Sequence, residues 1–150
     1  MHHYFGSKDQ LFLAAIEAPA DPADLLPTVL AAPPDQLGAA VVRMMLLVWE
    51  GPARPAGLAL LRSAVSNEWT AKLLREFLVS QVLRKVVSTL GFDPDARAAR
   101  ASLVASQLVG LVMARYVLRL EPVASASPEW LVAAIGPTVQ RYLTGEIALP

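Results

Sequence analysis

Cysteine is absent from the chain. That excludes disulfide staples, thiolate nucleophiles and zinc sites built on Cys, and it suits a reducing cytoplasm. Histidine is nearly absent as well. His2 and His3 are adjacent, so on a helix their side chains would point to different sides. There is no spaced set of His and carboxylates, no nucleophile–base pair and no Gly-rich phosphate loop, so neither an enzyme nor a cofactor or metal site is expected. Charge is scarce at 17% of residues, and 13 basic side chains balance 13 acidic ones. A chain of zero net charge is not drawn as a whole to nucleic acid. Long apolar runs are missing too. In the most apolar region the longest uncharged run is residues 101–114, between Arg100 and Arg115. A bilayer span needs roughly 20 residues, and Ser102, Ser106 and Gln107 interrupt this run further, so no membrane partner is expected. No basic stretch precedes an apolar segment at the amino end, which argues against a signal peptide.

What the chain does have is apolar residues, 55% of its 150. That is a one-domain length with more hydrophobic surface than an average domain needs, and the surplus is read as a core plus an oligomer interface. Strand-like alternation persists nowhere, so the fold is expected to be all-α. Prolines and caps divide the chain into six to eight helices. Ser7 and Gln10 form a capping-box pattern that starts a helix at Lys8, ending near Ala18 before Pro19. A short helix over 23–32 tolerates Pro27 only in its first turn. Residues 35–50 carry Leu37, Val41, Met44 and Val48 as an amphipathic stripe. Helices follow over 56–66 and, capped by Asn67, over 68–90, with Pro52 and Pro55 keeping the connection at 51–55 irregular. Asp93-Pro94 opens the longest helix, about 94–120, and Ser127-Pro128 opens the last, which Pro137 is expected to kink or break. Residues 146–150 form a tail.

The stretch Tyr4-Phe5-Gly6-Ser7-Lys8-Asp9-Gln10-Leu11 resembles the junction between the DNA-binding and regulatory domains of the TetR family, the tetracycline-repressor-like transcriptional regulators. The helix order after Phe5 is similar to that family's C-terminal regulatory domain, and residues 110–122 resemble a sequence recurrent in one of its branches. The resemblance implies that residues 1–6 are the end of a helix-turn-helix recognition helix. Residues 7–145 would form the effector-binding and dimerisation bundle. It implies a homodimer made by the last two long helices, an effector bound among the middle helices, and DNA contacts by His2, His3, Tyr4 and Lys8. It also implies two further helices and most of the recognition helix upstream. This sequence contains none of them, so DNA is an expected partner only where they are present. Either the start is assigned too far downstream or the chain truly lacks them.

Each of these positions also has a plainer reading. His2 to Lys8 could be a frayed terminus. Met44, Met45, Trp49, Trp69, Phe77, Gln81, Gln107 and Arg115 suit an adaptable, mostly apolar pocket with a few orienting polar groups, yet a Met and aromatic stripe at helical spacing is also ordinary core. Arg115, on a strongly apolar helix, needs a partner from another helix or subunit, with Glu50 as the nominee. Ser102, Ser106, Gly110 and Ala114 recur every four residues as a ridge of small side chains. With Leu131, Ile135 and Val139 of the last helix they are the interface candidates, intramolecular packing being the alternative. The leading expectation is a cytoplasmic, ligand-responsive repressor of the TetR type with a small, apolar effector. The alternative is a stand-alone helical module that dimerises or binds a small molecule without binding DNA.

Overall fold

Capping side chains set the helix starts that matter most. Asn67 Oδ1 accepts from the amides of Trp69 (2.9 Å) and Thr70 (3.2 Å), Asp93 Oδ1 from Ala96 (2.9 Å), and Ser127 Oγ from Trp130 (3.2 Å). Each satisfies amides that a helix's first turn otherwise leaves unpaired. A computed structural model describes residues 22–150, excepting the side chains of 22–24 and 81–83. The expected helix from Lys8 and the DNA-contact positions His2, His3, Tyr4 and Lys8 lie outside the described residues.

The described helices are α1 Pro22–Leu30, α2 Leu37–Trp49, α3 Arg54–Ser66, α4 Glu68–Phe77, α5 Arg84–Ser88, α6 Pro94–Val112 and α7 Pro128–Thr144. A 3-10 turn, Pro34–Gln36, leads into α2. A π-helical turn, Leu78–Leu83, joins α4 to α5, and another, Met113–Val117, extends α6. The described residues contain no strand, and the fold is all-α. The expected helix over 68–90 is thus one helical path interrupted by a widened turn. The helix from 94 ends near Val117 rather than 120, because Arg119 takes a left-handed φ of 55°.

Two prolines, Pro55 and Pro27, sit differently from expectation, and a third leaves its helix unbroken. Pro55 belongs to the first turn of α3, where its missing amide costs nothing. Pro27 lies inside α1, whose end is closed by the Ala31 amide on the Pro27 carbonyl at 3.0 Å. Pro137 does not break α7. Both it and Ala133, whose carbonyl loses its helical donor, lie on the exposed side, where water can replace the bond.

The most extensive packing among the described helices is α2 against α7. A Cβ on Gly38 would sit 2.4 Å from both the Gln140 amide nitrogen and the Gly136 carbonyl oxygen, and one on Gly136 would sit 3.1 Å from Ala39 Cα. Two glycines therefore let the backbones touch. Gln140 locks the crossing: its Oε1 accepts from the Gly38 amide at 2.7 Å and its Nε2 donates to the Pro34 carbonyl at 2.8 Å. Around it the largest fully buried side chains come from α2 (Val41, Val42), α5 (Val86, Val87), α6 (Val104) and α7 (Leu131, Val139, Leu143). Burial of each is worth about 1.5–3 kcal/mol.

This packing corrects part of the expected interface. Leu131 and Val139 are wholly buried in the chain's own core, because the four-residue stripe of α7 faces inward, and Ile135 packs half-buried beside them. The outward face of α7 is carried by Trp130, Ala133, Ala134, Pro137, Thr138 and Arg141. On α6, Ser102, Ser106 and Gly110 are exposed, whereas Ala114, in the π turn that follows, is half-buried.

Gly38→Ala is expected to destabilise the chain by about 2 kcal/mol or more through overpacking, lowering Tm by roughly 5 °C. Gly110→Ala, with nothing within 4 Å of its Cβ position, should leave Tm level or raise it slightly. Thermal melting followed by circular dichroism checks the pair.

Candidate functional site

Where α2, α3, α4 and α6 converge, their apolar faces do not close completely, leaving a half-open cavity of about 150 Å³. Met44, Met45, Val48 and Trp49 form its α2 wall. Gly57, Leu60 and Leu61 contribute from α3, Leu74 and Phe77 from α4, and Leu108, Val109 and Val112 from α6. Gly57 is needed where it is, since a Cβ there would stand 2.9 Å from the Trp49 ring. The α3 wall is thin, for no residue of that helix is fully buried. Both π turns start beside the cavity: Leu78 opens one and lines it, and Val112, which also lines it, directly precedes the other. Such widened turns recur at functional sites.

The structure brings together Met44, Met45, Trp49 and Phe77 of the expected pocket residues. Trp69 is 62% exposed on the outer side of α4. Gln107 is half-buried on α6 and Arg115 is engaged elsewhere, so neither lines the cavity. The Gln81 side chain lies outside the described residues. Among the described lining residues, Arg54 is the one charged side chain, and sequence reasoning missed it. The available signal was Glu50, four residues earlier across a Gly-Pro turn, a spacing that pairs opposite charges.

Glu50 is the hub of an ionic rim. Its Oε2 accepts from Arg54 Nη1 at 3.1 Å and its Oε1 from Arg115 Nη2 at 2.5 Å. Arg115 is buried and also donates through Nη1 to the carbonyls of Val123 and Ala126, both at 2.8 Å. One guanidinium thereby ties the end of α2 to the end of the α6 path and to the loop before α7. Burial opposes the charge on Arg115, but the bonds to Glu50 outweigh it and hold its pKa above the ordinary value. Tyr116 stacks on Trp49 with ring centroids 5.7 Å apart, and the Arg54 guanidinium lies over the same ring at 5.3 Å. The Tyr116 hydroxyl is buried with no hydrogen-bond partner among the described residues. Burial raises its pKa above 10, the Glu50 charge adding to the shift and the two arginines opposing it. A second buried cation, Arg100, donates to the Tyr142 carbonyl at 2.9 Å in the last turn of α7 and lies 4.1 Å from the Phe92 ring centroid. That bond sets a cation at a helix C-terminus, while the buried Nε of Arg100 has no hydrogen-bond partner among the described residues.

No group of three or more His, Asp or Glu among the described residues could hold a metal ion. None of the described helices is long and apolar enough to cross a membrane. What the arrangement can do is bind: it encloses an apolar body and offers a cation at the mouth.

Comparison with known proteins places this geometry. Residues 35–143 match the family described as tetracyclin repressor-like, C-terminal domain. The crystal structure of a TetR-family regulator from Streptomyces coelicolor A3 is similar over 95% of this chain and 74% of that one, with a TM-score of 0.60 and 32% identity. A comparison with curated proteins found no match.

Two outcomes follow from the rim. Arg115→Ala leaves Glu50 with Arg54 alone and strands two carbonyls, and should cost about 3 kcal/mol, the lower end for a broken buried pair because Glu50 is partly solvated. Arg115→Lys should recover little, since an ammonium cannot span the same fork. Tyr116→Phe should leave Tm at pH 7 unchanged or higher, because it deletes an unpaired buried hydroxyl. The raised pKa means that the folded chain holds the phenol proton more tightly than the unfolded chain. Its contribution is complete below about pH 10 and lost as pH climbs through the folded value. Urea melts between pH 7 and 11 should show the variant losing less stability than the parent.

Proposed function

The chain belongs to the TetR family of regulators, through its tetracycline-repressor-like C-terminal domain, and on that premise we propose that it is the regulatory part of a ligand-responsive, DNA-binding dimer of repressor type. The observation that carries this reading is the apolar cavity between α2, α3, α4 and α6. Pockets of this kind, apolar with few polar groups, suit small-molecule binding. An effector seated there acts by favouring one of two arrangements of the dimer. The coupling it can exert equals the difference between its affinities for them.

Dimerisation is assigned to the open faces of α6 and α7. Exposed Ser102, Ser106 and Gly110 offer a low relief on α6. On α7, Trp130 is 48% exposed beside Ala133, Ala134 and Pro137, an apolar face with no cover among the described residues. A two-fold axis that pairs such faces buries them twice over. DNA reading belongs to a helix-turn-helix preceding the regulatory bundle, and the working compartment is the cytoplasm.

Solution mass tests the assembly. Light scattering should give twice the chain mass of 16.1 kDa, and a stable monomer would refute the dimer. Because Gly110 has open space around it, Gly110→Leu should halve the mass without altering the far-ultraviolet spectrum of the helices.

A further inference from the structure

The cavity is apolar, yet its rim is not neutral. Arg54 and Arg115 share a single carboxylate, and both oxygens of Glu50 are occupied by them. Arg115 is sealed in, with Nη1 engaged by the Val123 and Ala126 carbonyls. The excess positive charge therefore resides on Arg54, which lines the cavity. Its side chain is 43% exposed, which places it at the mouth rather than in the floor. Of its five N–H groups one is engaged, by Glu50, and the described residues supply no further hydrogen bond. Among the described residues no acidic side chain lines the cavity.

We infer that the cavity takes a small amphiphilic carboxylate, its apolar body among Met44, Met45 and Phe77 and its anionic group on the free edge of the Arg54 guanidinium. The inference rests on the reading of this cavity as the effector site and adds the ligand's charge and size. A ligand that covers Arg54 removes water from a guanidinium, which is costly unless an anion replaces it. A carboxylate matches the planar fork and makes two charge-assisted bonds, whereas a cation meets net repulsion and a neutral amide offers one uncharged acceptor oxygen. The Tyr116 ring holds Arg54 from its other side, so the guanidinium is positioned before a ligand arrives. Size follows from volume: a cavity of about 150 Å³ is the size that accommodates one benzene ring. The body is thus a single ring or a short alkyl chain, with the two methionines adapting to its outline.

Titration calorimetry on the full chain, with benzoate, benzamide and benzylamine as matched probes, tests the inference. Benzoate should bind at least tenfold more tightly than benzamide, and benzylamine more weakly than either. Arg54→Gln should abolish the benzoate margin while leaving benzamide affinity unchanged, and Arg54→Lys should keep part of the margin, which guards against a variant that merely misfolds. Equal affinity for benzoate and benzamide, or a margin that survives Arg54→Gln, overturns the inference and leaves the cavity reading standing. Failure of all three probes to bind overturns both.

Discussion

The α2–α7 crossing is the constraint on which the other elements depend. Helix axes can come as close as these only where both surfaces lack side chains, and Gly38 and Gly136 supply that on opposite partners. Gln140 then uses both ends of its amide to hold the entry to α2. The buried valines and leucines of α5 and α6 pack on this pair, so the crossing sets the frame and the core fills around it. Attachment weakens with distance from it. The α3–α4 hairpin has its own small cluster, Leu73 and Phe77 with Leu60, Leu74 and Leu78, and meets the main core only through half-buried side chains such as Leu58, Leu61 and Leu78. The cavity lies between the frame and this hairpin. A binding site at such a boundary can adjust to a ligand without disturbing the most tightly packed helices.

Glu50 sits where these parts meet. It ends α2, reaches forward to Arg54 at the start of α3, and reaches across to Arg115 beyond α6. The loop leading to α7 hangs on the same arginine through Val123 and Ala126. A ligand that engages Arg54 therefore touches a network whose other members fix how α6 and α7 join. That is a physical route from the cavity to the faces assigned to dimerisation, through two ion pairs and a pair of backbone bonds. The route becomes allosteric only if those contacts have a second arrangement.

Much of the fold was legible because local chemistry dictates it. Asn67, Asp93 and Ser127 cap the helices they were expected to cap, and the family resemblance drawn from residues 4–11 agrees with the domain match over 35–143. Local rules failed where the outcome depends on surroundings. Pro137 does not break its helix, one of the two outcomes expected of it, because the damaged bond faces outward and α7 continues. The stripe Leu131, Ile135 and Val139 announced an apolar face without saying whether that face meets α2 or another subunit. The Met and aromatic residues of α2 were recognisable as a group, whereas Trp69 shares their chemistry and lies outside. Arg54 was overlooked because its importance comes from Glu50 being shared with Arg115, 65 residues further on. The Gly38 and Gln140 contact, 102 residues apart, is equally invisible to periodicity.

The central claim is that a rigid α2–α7 frame carries a loosely attached cavity wall. Native-state amide hydrogen exchange, resolved by helix, measures this directly. The account predicts that residues 37–49 and 128–144 exchange last and together, near the rate set by global unfolding, while residues 54–66 exchange much earlier through local opening. Protection in 54–66 equal to that of the two frame helices would contradict it.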